Sequence, residues 1–192
     1  MVTARPAPQD APGTRPPASG PTRLPALREL AGSVPDPELP VITLAELGVL
    51  RSVSEPEPGR VEVELTPTYT GCPALETMAE DVERALTAAG VQRVTVRTVF
   101  SPPWSTDDIS EEGRRKLAEH GVAPPRPGTG RDGPVPVRLS PARRADGLTE
   151  QIRCPHCRAA GTELLSRFSS TACTSLRRCL ACREPFDHFK EV

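Results

Sequence analysis

Over residues 24–121 the spacing of apolar positions alternates between the three-to-four step of a helix and the two-step of a strand. Leu24, Leu27, Leu30 and Ala31 share one side of a short helix over residues 24–32. Pro35, Asp36, Pro37 and Glu38 then forbid a helix, because proline restricts itself and the residue before it, so this run is a fixed loop. Residues 43–47 read as a brief turn, Gly48 opens a strand over 49–53, and residues 55–59 (EPEPG) read as a turn. In residues 60–66 Val61, Val63 and Leu65 alternate with Arg60, Glu62 and Glu64, which predicts a half-buried strand paired in a hairpin with the previous one. Next Leu75, Met78, Ala79, Val82, Ala85, Leu86 and Ala89 recur at helical spacing, with Pro73 at the first helical position and Gly90 at a left-handed end. A third strand follows over 91–99 through Val94 and Val96, and Ser110 caps a last helix that runs to His120 and stops at Gly121. The order α-β-β-α-β-α predicts an α+β fold, a small two-layer α/β sandwich with helices on one face of a three-stranded sheet. The loop over 100–110 holds Trp104, which is read either as a lid over the core or as an exposed interface anchor.

The flanks follow different rules. Residues 1–23 contain six prolines and almost nothing large and apolar, so a disordered tail is expected. Residues 122–150 are rich in proline, glycine and arginine without a period, and read as a linker to a second unit over 151–192. For 192 residues, 3% aromatic content and 24 prolines make a thin core, consistent with chain left outside the packed units. A net charge of −1 argues against a general polyanion binder. No apolar run nears the roughly 18 residues of a membrane span. No hydrophobic leader is seen, so a cytoplasmic protein is expected. Disulfides are rare there, and the six cysteines are better read as metal ligands or reactive thiols.

Four of those cysteines form two C-x-x-C pairs, Cys154 with Cys157 and Cys179 with Cys182, separated by 21 residues. This is the spacing of a four-thiolate zinc ribbon, in which each tight turn supplies two thiolates and the intervening hairpin brings the turns together. Iron in the same four-sulfur geometry is the competing metal. With all four positions filled by protein, the ion is structural and supplies folding free energy to a segment too small for a real core. His156 and His188 are alternative ligands that the spacing does not require. Residues 153–192 carry only a small basic excess and few rings, which argues against nucleic-acid binding.

Cys72 stands at the turn into the Ala74-to-Ala89 helical pattern. A thiol at a helix N-terminus faces unpaired N–H groups, which favours the thiolate and with it metal binding. The other reading is a small buried hydrophobe. Cys173 belongs to neither ribbon pair and is read as packed on the hairpin or as a second functional thiol.

Asp36-Pro37-Glu38, residues 44–47, Thr66-Pro67-Thr68 through Gly71-Cys72-Pro73, and Pro102-Pro103-Trp104 with Asp107 resemble the MIP18-like iron–sulfur-cluster assembly domain. Residues 154–157, Ser169 to Cys173 and 179–189 resemble the zinc ribbon appended to that domain in PaaD (PaaJ) subunits of phenylacetyl-CoA epoxidase systems. The resemblance covers about residues 24–121 and 151–192. It implies a non-catalytic accessory subunit of aerobic phenylacetate catabolism that matures the iron or iron–sulfur centre of its partners. Those partners are a di-iron oxygenase and its [2Fe–2S] flavin reductase, and a homodimer is left open. It implies Cys72 as a transient iron or cluster ligand, Cys173 as a candidate second ligand, and Asp36, Glu38, Thr66, Thr68 and Trp104 as pocket residues. Two rival readings stand beside it: a subunit that only bridges oxygenase and reductase, and a general iron–sulfur assembly factor. The chain has no Glu-x-x-His pair for a di-iron centre and no ferredoxin cysteine run of its own.

Overall fold

In the computed structural model, residues 23–126, 128 and 152–191 are described. The expected disordered tail, but for Arg23, and the linker beyond residue 128 lie outside them. Helix α1 (Arg23–Gly32) is followed by a single capped turn, α2 (Leu44–Leu47). Thr43 and Glu46 form a reciprocal capping box there, each satisfying an N–H that the short helix leaves open. Strands β1 (Leu50–Glu57) and β2 (Arg60–Leu65) pair antiparallel with Val53 opposite Val63. Helix α3 (Ala74–Ala88) then crosses over to β3 (Arg93–Thr98), which pairs parallel to β2 with Val63 opposite Val96. A parallel neighbour needs such a crossover.

The core forms where the periodic faces meet. Met78, Val82 and Leu86 of α3 are buried against Val61, Val63 and Leu65 of β2 and Leu27 and Ala31 of α1. Burying a side chain of this kind is worth roughly 1.5–3 kcal/mol. Gly48 has φ +77°, and a Cβ there would lie 2.4 Å from the Asp108 carbonyl oxygen. The close approach seats the loop before α4 (Glu111–Glu119), and Trp104 of that loop is 7% exposed, its Nε1–H donating to the Leu47 carbonyl at 2.9 Å. Ser110 accepts from Gly113 at the start of α4.

Two expectations about boundaries change. β1 runs on through Pro56 to Glu57, so only Pro58 and Gly59 make the turn. β1 is an edge strand whose pairing shifts between Ser54 and Glu57, and an edge tolerates the missing proline N–H. Val122 and Ala123, expected to open the linker, form β4 (Val122–Ala123). β4 pairs parallel with a strand of the second unit, placing Ala123 opposite His188.

That second unit is a β-ribbon of β5 (Thr162–Ser166), β6 (Thr174–Cys179) and β7 (Pro185–Phe189), and the sheet order is β4-β7-β6-β5. The ribbon is joined to the α/β unit by more than β4. Phe189, 1% exposed, sits in the core of the α/β unit with its ring centroid 5.9 Å from that of Trp104. Trp104 is thus a lid that also receives the ribbon. The ribbon's own core is small: Ala123, Ile152, Cys154, Cys179 and Phe186.

Candidate metal centre and the cysteine loop

The two C-x-x-C turns are built alike. In the first, the Arg158 N–H donates to the Cys154 carbonyl at 2.9 Å with Arg158 at φ +63°. In the second, the Arg183 N–H donates to the Cys179 carbonyl at 3.1 Å with Arg183 at φ +68°. Left-handed residues close each turn so that both of its sulfurs face the other pair. The Sγ atoms of Cys154 and Cys182 are 3.7 Å apart and those of Cys157 and Cys179 are 3.5 Å apart. All four lie within 4.8 Å of one another. Four sulfurs about 2.3 Å from a central ion span edges of about 3.8 Å, so the donor set fits one tetrahedral metal ion. N–H groups of Cys182 and Ala181 turned onto its sulfur help pull the Cys179 thiol down to about 6. The Glu184 N–H acts on Cys182 in the same sense. Burial and the neighbouring thiols Cys179, Cys157 and Cys154 outweigh it and push Cys182 up to about 12. A cation among the four sulfurs would relieve that crowding of like charges. Neither histidine joins the cluster: His188 is buried beside Ser175, and His156 stands against Gly121 at the end of α4.

Cys72 lies in the loop between β2 and α3. Pro73 is the cap of α3 rather than its first residue, which leaves Cys72 one position outside the helix. N–H groups of Ala74 and Leu75 still turn on its sulfur. The expectation of a depressed thiol is nevertheless overturned. Burial raises it, the Ala74 N–H opposes that, and the carboxylates of Glu38 and Asp36 add to the rise. The helix-start effect is real but small against desolvation and two like charges. Asp36, 4% exposed, accepts from the N–H groups of Glu38 and Leu39 at 2.8 and 2.7 Å, which fixes the acidic turn. Burial raises the Asp36 carboxyl against those two bonds, and it raises Glu38 with help from Asp36.

The structure brings Cys173 to this region from the ribbon. Its sulfur is 3.0 Å from the Thr171 hydroxyl, and its carbonyl accepts the Lys190 N–H at 2.9 Å. Burial raises its thiol, Thr171 opposes that, and Glu38, Asp36 and Cys72 act on it in turn. Cys72 and Cys173 are both half-buried against the same apolar core. A cavity of about 190 Å³ opens between the units, with Thr68, Tyr69 and Trp104 on one side and Phe168, Cys173 and Phe189 on the other. Cys72, Asp36, Glu38 and Thr66 do not line it. Thr66, 1% exposed, heads the Cys72 loop, and its Oγ1 has no hydrogen-bond partner. Sequence reasoning missed Tyr69, Phe168, Phe189 and Lys190. No local pattern marks any of the four for this position, because the cavity is formed by segments distant in sequence.

Residues 138–190 match the family described as PaaD zinc beta ribbon domain, and residues 26–97 match the family described as iron-sulfur cluster assembly protein. The chain is 40% identical over 161 residues to the D component of a "Putative 1,2-phenylacetyl-CoA epoxidase" of Escherichia coli, covering 84% of this chain and 88% of that one. It is 36% identical over 86 residues to an Fe-S protein maturation auxiliary factor of Porphyromonas gingivalis, covering 44% of this chain and 81% of that one. A solved domain of unknown function, DUF59, from Bacillus anthracis is 28% identical with a TM-score of 0.47, covering 50% of this chain and 92% of that one. Among the described residues no helix is long and apolar enough to cross a membrane.

Proposed function

The chain belongs to the PaaD family of phenylacetyl-CoA epoxidase components, and from that premise we propose that it is a non-catalytic, cytoplasmic accessory subunit that matures iron or iron–sulfur centres of its partner subunits. The partners in this reading are the di-iron oxygenase and the [2Fe–2S] flavin reductase of a phenylacetyl-CoA epoxidase system. Relatives that match less than half of this chain are named as Fe-S protein maturation auxiliary factors, and residues 26–97 match the iron-sulfur cluster assembly family, which supports iron handling by the α/β unit.

The observation that carries the reading is the placement of Cys72 and Cys173. Two thiols from different units share one apolar wall, beside a fixed acidic turn and next to a cavity. Cys72 holds the cargo iron, and Cys173 is its second protein ligand. Asp36 and Glu38 set the local potential: two carboxylates favour a cation there and disfavour a bare thiolate. An incompletely ligated ion suits delivery, because the client's own ligands finish the coordination and then take the ion over.

The four ribbon cysteines Cys154, Cys157, Cys179 and Cys182 would hold a zinc ion, which would tie the two turns together. Protein fills every coordination position in that arrangement, so the ion leaves none for a substrate.

The test is metal and sulfide analysis of protein purified without oxygen, wild type beside Cys72→Ser. Zinc in both and iron in the wild type alone is the expected result. Zinc with no iron in either, even after incubation with ferrous iron, favours a subunit that only bridges oxygenase and reductase.

A further inference from the structure

We infer that the cargo site is completed across the two units, and that the metal of the ribbon therefore governs iron binding at Cys72. The inference rests on the reading that Cys72 carries the cargo, and adds what controls that site.

Cys72 is fixed by the α/β unit alone, through the β2–α3 loop. Cys173 is not. It lies in the connection between β5 and β6, and everything that fixes it belongs to the ribbon or to the ribbon's seat. Its carbonyl is held by Lys190 just beyond β7, and its sulfur by the Thr171 hydroxyl. The next residue, Thr174, stands opposite Phe189 in the β6–β7 register. Phe189 in turn packs on Trp104. The chain of contacts runs from Cys173 through β7 to the α/β core without a gap.

The ribbon has little else to keep it folded. Two of the five residues in its own buried cluster are metal-site cysteines, Cys154 and Cys179, and a third, Phe186, packs beside them. Cys179 is also the last residue of β6, the strand that follows Cys173, and β7 begins just after the second turn. Losing the ion removes the link between the turns that frame both strands, and for a unit this small metal binding and folding are one free energy. An unfolded ribbon withdraws Phe189 from Trp104 and Cys173 from the neighbourhood of Cys72. The coupling is reciprocal: an ion bridging Cys72 and Cys173 holds the ribbon on the α/β unit.

The experiment is anaerobic equilibrium dialysis of the full-length chain, zinc-loaded wherever the ribbon cysteines are intact, against ferrous iron, with zinc measured in every sample. Compared are the wild type, Cys72→Ser, Cys173→Ser, Phe189→Ala and a form with all four ribbon cysteines changed to serine. The conservative Cys173→Ser decides the outcome if the four-serine form does not fold. Expected is a loss of iron affinity of about tenfold or more in Cys173→Ser, with zinc retained. Phe189→Ala and the four-serine form should lose about as much. Wild-type affinity in Cys173→Ser and Phe189→Ala, with Cys72→Ser defective, overturns the inference and with it Cys173 as second ligand, and leaves Cys72 as the carrier of iron. Wild-type affinity in Cys72→Ser removes the proposed function itself.

Discussion

Phe189→Ala separates the seating of the ribbon from the integrity of its metal site. Phe189 is 1% exposed and lies in the α/β core, whereas the cysteine cluster packs with Phe186. Truncating a buried phenylalanine costs about 3–5 kcal/mol, made up of lost transfer free energy and the cavity left behind. The tilted contact with Trp104 falls within that figure. For a chain of this size the melting temperature falls by about 2–4 °C per kcal/mol, so a loss of roughly 6–20 °C is expected. The assay is built into the protein, because Trp104 is the one tryptophan in the chain and lies at the junction. Thermal unfolding followed by tryptophan emission should show the lower midpoint, and the folded variant should emit to the red as water reaches the ring. Zinc content should be unchanged. Phe186→Ala should weaken zinc retention instead, with emission unchanged for as long as the zinc stays bound. Wild-type emission and midpoint in Phe189→Ala would refute the docked arrangement.

Three further outcomes follow from the geometry. Burial, with the Arg177 charge, holds the His188 imidazole down to about 4, against about 6.5 when exposed. The unfolded chain therefore takes up the proton first: stability is intact above about pH 6.5 and falls as pH drops toward 4, by about 2 kcal/mol at pH 5. Urea midpoints at pH 7 and pH 5, with zinc monitored, should differ less in His188→Gln, and equal pH sensitivity in both proteins would contradict this. Chelation of the ribbon metal should shift Trp104 emission as Phe189→Ala does, and an unchanged spectrum would show that docking survives without the ion. Gly48→Ala forces a Cβ to within 2.4 Å of the Asp108 carbonyl oxygen at φ +77°. The backbone conformation alone costs roughly 1–2 kcal/mol, so the urea midpoint should fall by at least that much, and an unchanged midpoint would mean the loop before α4 is not held against this turn.

What the sequence made legible was whatever short-range periodicity determines. The α3 face from Met78 to Leu86, the alternation of β2 and the two C-x-x-C turns were all readable because each depends on residues a few positions apart. Long-range contacts were not. Phe189 belongs by sequence to the ribbon and by packing to the core under Trp104, and no local pattern announces that. β4 was hidden for the same reason: two residues pair with a strand more than sixty positions later. The Cys72 thiol was misjudged in direction because helix-start N–H groups are visible in sequence, whereas burial and the approach of Asp36 and Glu38 are products of the fold. β1 outran its expected end because proline ends a central strand but not an irregular edge.

The central claim is that Cys72 carries iron to a partner. Its most direct test is the iron content of the di-iron oxygenase and the [2Fe–2S] reductase, each produced together with this chain as wild type or as Cys72→Ser. The account predicts that the wild type raises the iron content of at least one of the two, whereas Cys72→Ser, its own zinc retained, leaves that partner at the level found without the chain. Equal iron in the partners with either form would contradict it.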